Sequence, residues 1–412
     1  MNGQHLQRLK ARRRLWLQAH LYLGLLAGFI IAIVGLTGAI LVFYEELQEL
    51  LNAEQIRIVA PPVAERRLRP LDEIIAAADT IKPANSRFDK LYYPRHEDTA
   101  YKLLYYQPAP AKAEPDESGD GYYVFVNPYT AQATGKQLWH PYRRYWGRPL
   151  VSFVMQLHYC LLLDTPGMVF VGIMSTLALL SVLSGLIVWW PLTGKWHLAL
   201  TIKRGTGSIR YNYDLHKVSG FYSALVLLAV LFSGVYFNLP DNVNALVRQF
   251  SPLQRPNAWE GMATSQLHSD VKEDQKPISP GQAEEIVSLR HPGGQMWMLS
   301  SPADTHGTYY IWKHEVAELS RFIGYREIAI DQYSGKILKV YDAGSGSAGD
   351  VFLDWQWPLH CGHAFGWPGR ILVMLTGLAC PVLFVTGVVR WLQKRRAKAR
   401  KTFPAFNAGN VD

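Results

Sequence analysis

Four of the 13 histidines stand in surroundings that repeat along the chain. His158 is followed at +8, +9, +27 and +31 by Pro166, Gly167, Gly185 and Trp189, and His360 at the same offsets by Pro368, Gly369, Gly387 and Trp391. His20 is followed at +4 and +18 by Gly24 and Gly38, and His216 by Gly220 and Gly234. Six shared offsets mark an internal duplication. It pairs His20 with His216 in one layer and His158 with His360 in another. Imidazole nitrogens facing each other at one depth suit bis-histidine axial ligation of a haem iron. Gly24 and Gly220, one turn beyond their histidines on the same helix face, would leave room for a flat macrocycle.

Other readings compete. A lone interfacial histidine more often hydrogen-bonds its neighbours, and glycine at this spacing serves ordinary helix packing. Two histidines per layer leave a tetrahedral zinc site half filled. A proton relay would call for Asp or Glu inside the spans, which hold none. His363 could replace His360 as ligand, although its counterpart is Leu161. His140 and His197 have no matched partner.

Before the second span the chain reads HPYRRYWGRP, in which Arg143, Arg144 and Arg148 interleave with aromatic residues including Trp146. Such a cluster suits haem propionates or an anionic substrate, or a plain interfacial aromatic belt. The matching segment before His360 carries Trp355 and Trp357 among acids, Asp350 and Asp354. A substrate site there would have one basic and one acidic wall.

Four runs without a charge must position these groups: 15–44, 165–194, 218–240 and 371–389. Each has at least the ~18–20 residues that cross a bilayer as a helix. A wholly soluble protein is excluded, and so is a porin-type barrel, whose strands alternate in polarity. The 42 Lys+Arg exceed the 33 Asp+Glu, for a net charge of +9. Of these, 17 bases and only 2 acids fall in the N-terminal segment, the short central loop and the tail. The positive-inside rule predicts those parts to be cytoplasmic. The excess is then a topology signal and gives a nucleic-acid partner no support. The first run, too long for a signal-peptide core, is expected to stay as an anchor. Cys160, Cys361 and Cys380 are too few for a disulfide framework, and small buried thiols are expected, with a Cys160–Cys361 pair as the alternative.

The expected organisation is a polytopic α-helical membrane protein, four helices as a 2+2 tandem repeat with two periplasmic α+β modules. A basic segment (1–14) precedes a first span (15–44) and a first module (45–148). A histidine segment with the second span (149–190), a cytoplasmic loop (191–214) and the third span (215–239) follow. The second module (240–350), the second histidine segment with the fourth span (351–392) and a basic tail (393–412) complete the chain. Each module predicts a short helix, over 70–80 and 279–289, then strands over 102–106 and 122–126, and 309–312 and 326–330. Each then turns into a last strand, from Asn127 and from Asp331. Residues 109–121 read as a mobile loop.

The chain resembles the PepSY-associated transmembrane family. The resemblance rests on HLYLG at His20, LHYCLLLDTPG at Leu157, SGLIVWWP at Ser184, DLHKVSG at Asp214, LHCGHAFGWPGR at Leu359 and VTGVVRWL at Val385. That family includes inner-membrane reductases of ferric siderophores such as ferrioxamine and pyoverdine. The resemblance implies two b haems, held by His20, His158, His216 and His360, and a periplasmic ferric siderophore as substrate. Iron-uptake proteins are implied as partners. No G-x-G-x-x-G is expected to follow a strand, so electrons must come from quinol or from a cytoplasmic reductase. The alternative is a non-enzymatic PepSY-type protein that binds or restrains a periplasmic partner. A transporter is disfavoured, because the spans hold no charge and one internal proline, Pro381.

Overall fold

The computed structural model describes residues 3–109, 119–142, 148–191, 194–203, 205–254, 267–271 and 275–402, with backbone alone for 3–10 and 399–402. Most of the loop expected over 109–121 lies outside the described residues. The helices run α1 (Gly3–Leu41), α2 (Tyr44–Leu51), α3 (Ala53–Ile56), α4 (Leu71–Asp79), α5 (Leu150–Cys160), α6 (Asp164–Trp189) and α7 (Trp196–Leu200). They continue with α8 (Ser208–Asn238), α9 (Pro240–Val247), α10 (Pro280–Arg290), α11 (Ala348–Asp354), α12 (Gln356–Cys361) and α13 (Gly366–Thr402). The strands are β1 (Arg87–Tyr92), β2 (Tyr101–Tyr106), β3 (Gly121–Val126), β4 (Ala133–His140), β5 (Gln295–Ser300), β6 (Thr308–His314), β7 (Tyr325–Asp331) and β8 (Ile337–Asp342). The chain forms two compact units, one within 1–42, 156–239 and 359–412, the other within 43–155 and 240–358.

The first unit is a helix bundle. Four stretches are long and apolar enough to cross a membrane: Ala11–Leu41, Asp164–Trp189, Ser208–Asn238 and His363–Lys398, with mean hydropathies of 2.4, 2.2, 2.0 and 2.3. Helix α1 packs on α6 and α13, and α8 packs on the same two. Thus α1 and α8 stand diagonally across the bundle. The backbones of α1 and α13 meet at Gly35 and Gly377, where a Cβ on Gly377 would lie 2.5 Å from the Gly35 carbonyl oxygen. Three helices exceed their expected limits. Helix α1 starts at Gly3, α8 at Ser208 and α13 ends at Thr402, because the flanking Lys and Arg residues are good helix formers with no breaker between. Between His158 and α6 the chain turns through left-handed residues, Leu161 (φ 52), Leu162 (φ 62) and Asp164 (φ 50). In the second half Gly362 (φ 76) and Gly366 (φ 58) serve this turn. All three cysteines are free, with Cys160 and Cys380 buried.

The second unit is built on one antiparallel sheet of order β4-β3-β2-β1-β5-β6-β7-β8. The two modules expected from the sequence are therefore fused: β1 pairs with β5, with Leu91 opposite Leu299. Alternate residues of the strands, Leu103, Tyr105, Val124, Val126, Ile311, Ile328 and Ile330, pack against Leu71, Ile74 and Ala78 of α4 and Ala283 and Val287 of α10. This is the period-two face of a sheet covered by two apolar helix stripes. Asp72 of α4 accepts hydrogen bonds from the Ser279 hydroxyl (2.6 Å) and the Gly281 N–H (2.9 Å) at the start of α10. The expected turns form on side-chain oxygens, Asn127 accepting from Tyr129 N and Asp331 from Ser334 N.

Candidate functional site

The bundle brings the four histidines together in two pairs. The rings of His20 on α1 and His216 on α8 face each other with centroids 6.1 Å apart and planes at 68°. Those of His158 on α5 and His360 on α12 stand 6.0 Å apart at 65°. His363 sits in a short 3-10 turn and is exposed; the ring that meets His158 is that of His360.

Each imidazole is held at Nδ1. His20 donates to the Ser181 carbonyl (2.9 Å) and His158 to the Val34 carbonyl (2.9 Å). His216 lies 2.8 Å from Thr386 Oγ1 and His360 2.8 Å from Ser233 Oγ. Those two hydroxyls already give their protons to the Val382 and Ala229 carbonyls, so they accept from histidine. The carbonyls and committed hydroxyls together fix the proton on Nδ1 and leave the Nε2 lone pair free to bind a metal. Backbone hydrogen bonds to Leu383 and Val230 also back His216 and His360. Val34 and Val230 each lie fourteen residues beyond the inner histidine of their helix, and Ser181 and Leu383 each twenty-three beyond an outer one.

The arrangement fits haem better than zinc. Two imidazoles on opposite sides of one metal, each with a metal–nitrogen bond of about 2 Å, would have their ring centroids about 6 Å apart. Among the described residues no three His, Cys, Asp or Glu side chains converge, whereas a structural zinc site needs four donors.

Four glycines other than Gly24 and Gly220 lie against the rings. A Cβ on Gly185 would lie 2.9 Å from His20 Cε1, and one on Gly38 2.8 Å from His158 Cε1. Gly387 and Gly234 face His216 and His360 at 3.4 and 3.8 Å. At Gly24 and Gly220 a Cβ would meet only Ser181 Oγ at 3.7 Å and Leu383 Cδ2 at 3.5 Å, ordinary contacts. Sequence reasoning used Gly38, Gly185, Gly234 and Gly387 only as repeat markers and passed over the hydroxyls. A signal existed for two of them: Thr37, whose Oγ1 lies 3.2 Å from His158 Nδ1, and Ser233 both stand seventeen residues past an inner histidine.

Arg143, Arg144 and Trp146 lie outside the described residues. In the sheet unit, Arg148 donates to the Pro141 carbonyl (3.3 Å), Trp355 stacks with Phe322 at 6.2 Å, and Trp357 is exposed. The acidic wall expected beside the tryptophans does not form. Asp350 and Asp354 are buried. Asp350 caps α11 through Ser347, and Asp354 accepts from the Tyr341 hydroxyl (2.6 Å) and Gly344 N (2.8 Å). The same contacts correct a second expectation. A G-x-G-x-x-G does follow a strand, at Gly344 and Gly346 after β8 and Gly349 in the first turn of α11. Its Gly344 and Ser347 N–H groups are filled by the Asp354 and Asp350 carboxylates, where a dinucleotide fingerprint would hold phosphate.

A family model described as the PepSY-associated TM region matches residues 17–394. The chain belongs to that family and is a multi-pass membrane protein in contact with the lipid bilayer. No match to a curated protein was found.

Proposed function

From that membership and the paired imidazoles we propose that the protein is an inner-membrane, di-haem b-type oxidoreductase. It passes electrons across the bilayer to a periplasmic ferric siderophore and releases Fe(II). The carrying observation is the recurrence, at two levels of one bundle, of two facing imidazoles about 6 Å apart with their Nδ1 atoms occupied. The charge distribution supports cytoplasmic termini and periplasmic long loops. The matched offsets support a 2+2 tandem repeat.

His20 and His216 would hold one haem b, His158 and His360 the other. Haem bound there would supply reversible one-electron transfer. The histidines would hold the metal through Nε2, while the Nδ1 acceptors keep each ring from rotating. From His20 to Val34, the carbonyl that holds His158, α1 rises by about 21 Å, so the layers lie towards opposite faces of a ~30 Å hydrocarbon core. Between them Ala27, Ile31, Met174, Ala178, Leu227, Leu231 and Cys380 pack as a core, which keeps water out. The hard oxygen ligands of a siderophore bind Fe(III) better than Fe(II), so one-electron reduction loosens the metal.

A reduced-minus-oxidised visible spectrum of the purified protein tests the reading. Expected are b-type bands that diminish when His20 and His216 are both replaced by Ala and vanish when all four histidines are. Dithionite-reduced protein mixed under nitrogen with ferric siderophores should reoxidise. Absence of b-type bands, or haem retained without the four histidines, overturns the proposal; bands with no reoxidation by any chelate remove the substrate.

A further inference from the structure

At the end of the bundle that the charge distribution gives to the cytoplasm, a cavity of about 460 Å3 opens between α8 and α13. It is lined by Gly207, Ser208, Ile209, Arg210 and Tyr213 on one side and by Arg390 on the other. Its depth follows from the charges. Lys217 is the last charge before the uncharged run 218–240, and Arg390 is the first after the run 371–389. The cavity therefore lies where lipid headgroups begin. Cations crowd one aromatic ring there: Arg390, Arg210 and Lys217 stand 5.0, 5.6 and 5.8 Å from the centre of the Tyr213 ring. One carboxylate answers them. Asp214 binds Arg210 and Lys217 at 2.9 Å each, and the Arg390 guanidinium has no hydrogen-bond or carboxylate partner among the described residues. The Tyr213 and Ser208 hydroxyls have no hydrogen-bond partner there either. The internal repeat does not account for this cluster. At the offsets of Arg210, Tyr213 and Arg390 the first half has Arg14, Leu17 and Val188.

We propose that this cavity binds the phosphate of an anionic phospholipid of the phosphatidylglycerol class. A phosphodiester brings one negative charge and oxygens that only accept hydrogen bonds, which is what Arg390 and the two hydroxyls lack. Basic pockets between membrane helices on the cytoplasmic side take such headgroups, and the volume lies within the ~300–1,000 Å3 of ordinary ligand sites. Ile209, 58% exposed beside the cavity, offers an acyl chain an apolar wall that inorganic phosphate would not use. The bound lipid bridges α8 to α13 one turn from Thr386, whose carbonyl accepts from Asn212 at 3.0 Å and whose hydroxyl holds His216 at 2.8 Å. It thereby steadies the inner histidine pair. Binding requires no haem, so the site stands or falls apart from the conduit.

The test uses delipidated full-length protein in detergent, titrated with phosphatidylglycerol or phosphatidylcholine. Native mass spectrometry should show one phosphatidylglycerol retained in preference, and the thermal midpoint should rise with that lipid but not with phosphatidylcholine. Arg390→Gln should weaken this binding about fivefold. Arg396→Gln, an equal loss of charge at an exposed position of the same helix outside the cavity, should not. Ser208→Asp suits a helix start but sets a negative charge in the cavity, and it should weaken binding as well. Equal affinities for the two lipids, equal losses in Arg390→Gln and Arg396→Gln, or unchanged binding in both cavity variants overturns the proposal. Millimolar inorganic phosphate should neither displace the lipid nor raise the midpoint. If it does either, the cavity is a free-phosphate site and the lipid is overturned as its occupant.

Discussion

Ser233 accepts the Nδ1 proton of His360 at 2.8 Å while giving its own proton to the Ala229 carbonyl at 2.8 Å. A serine that has spent its proton can only accept, so it acts as a one-way brace on the imidazole. Thr386 does the same for His216. Ser233→Ala should therefore weaken retention of the metal group by about 10-fold or more, and Ser233→Thr should restore it. The check is the haem-to-protein ratio after gel filtration, with the low-spin EPR signal as a readout of ring orientation. Equal ratios in Ser233→Ala and wild type would show that the hydroxyl does not brace the ring.

Gly38 and Gly234 stand at the same offset from their inner histidines, yet a Cβ would lie 2.8 Å from His158 but 3.8 Å from His360. Gly38→Ala should displace the His158 ring at a cost of about 1–3 kcal/mol, with loss of the outer site. Gly234→Ala should be tolerated. Thermal unfolding and haem content of the two variants, side by side, decide it; equal behaviour would contradict the asymmetry.

Asp214 on α8 has a fully buried side chain between Arg210 (2.9 Å) and Lys217 (2.9 Å). Lys217 Nζ also donates to the Leu198 and Thr201 carbonyls, which ties the central loop to the helix. Asp214→Ala removes two charge-assisted hydrogen bonds and should cost about 2–3 kcal/mol. Expected are a lower thermal midpoint and faster proteolysis after Lys203. An unchanged midpoint would mean that water replaces the carboxylate.

In the sheet unit, burial raises the carboxyl of Glu284 above its usual 4.5, with opposition from the Tyr93 hydroxyl bond and support from the Asp72 charge. The folded state then binds this proton more tightly than the unfolded chain. Its contribution to stability is fully present below pH 4.5 and is lost as pH rises through the raised folded value. Glu284→Gln should flatten that limb of the stability profile. The measurement is the difference in thermal midpoint between wild type and variant from pH 4 to 7, and parallel profiles would refute it.

Much of this architecture was legible because it is written in composition and period. Uncharged runs marked the four membrane helices, and equal offsets proposed which imidazoles would meet. The α4 and α10 helices and six of the eight strands announced themselves by turn residues and alternation. The two that did not, β1 (RFDKLY) and β5 (QMWMLS), lack β-branched residues, and β1 carries three charges, Arg87, Asp89 and Lys90. They are also the strands that pair across the halves. Two independent modules were therefore expected where the chain builds one sheet.

The sequence by itself determined the number of spans, the charge asymmetry and the histidine register, since each depends on residue type and spacing along one chain. Tertiary structure decided what each polar group spends its hydrogen bonds on. Asp350 and Asp354 read as the acidic wall of a substrate site, but they are consumed by backbone N–H groups, including those of the glycine motif. Residue type alone marks neither Ser181 nor Ser233 as a histidine partner, yet one offers its carbonyl and the other its hydroxyl to a histidine. A donor or acceptor finds its partner only when distant segments pack together, and spacing along one strand or helix carries no record of that choice.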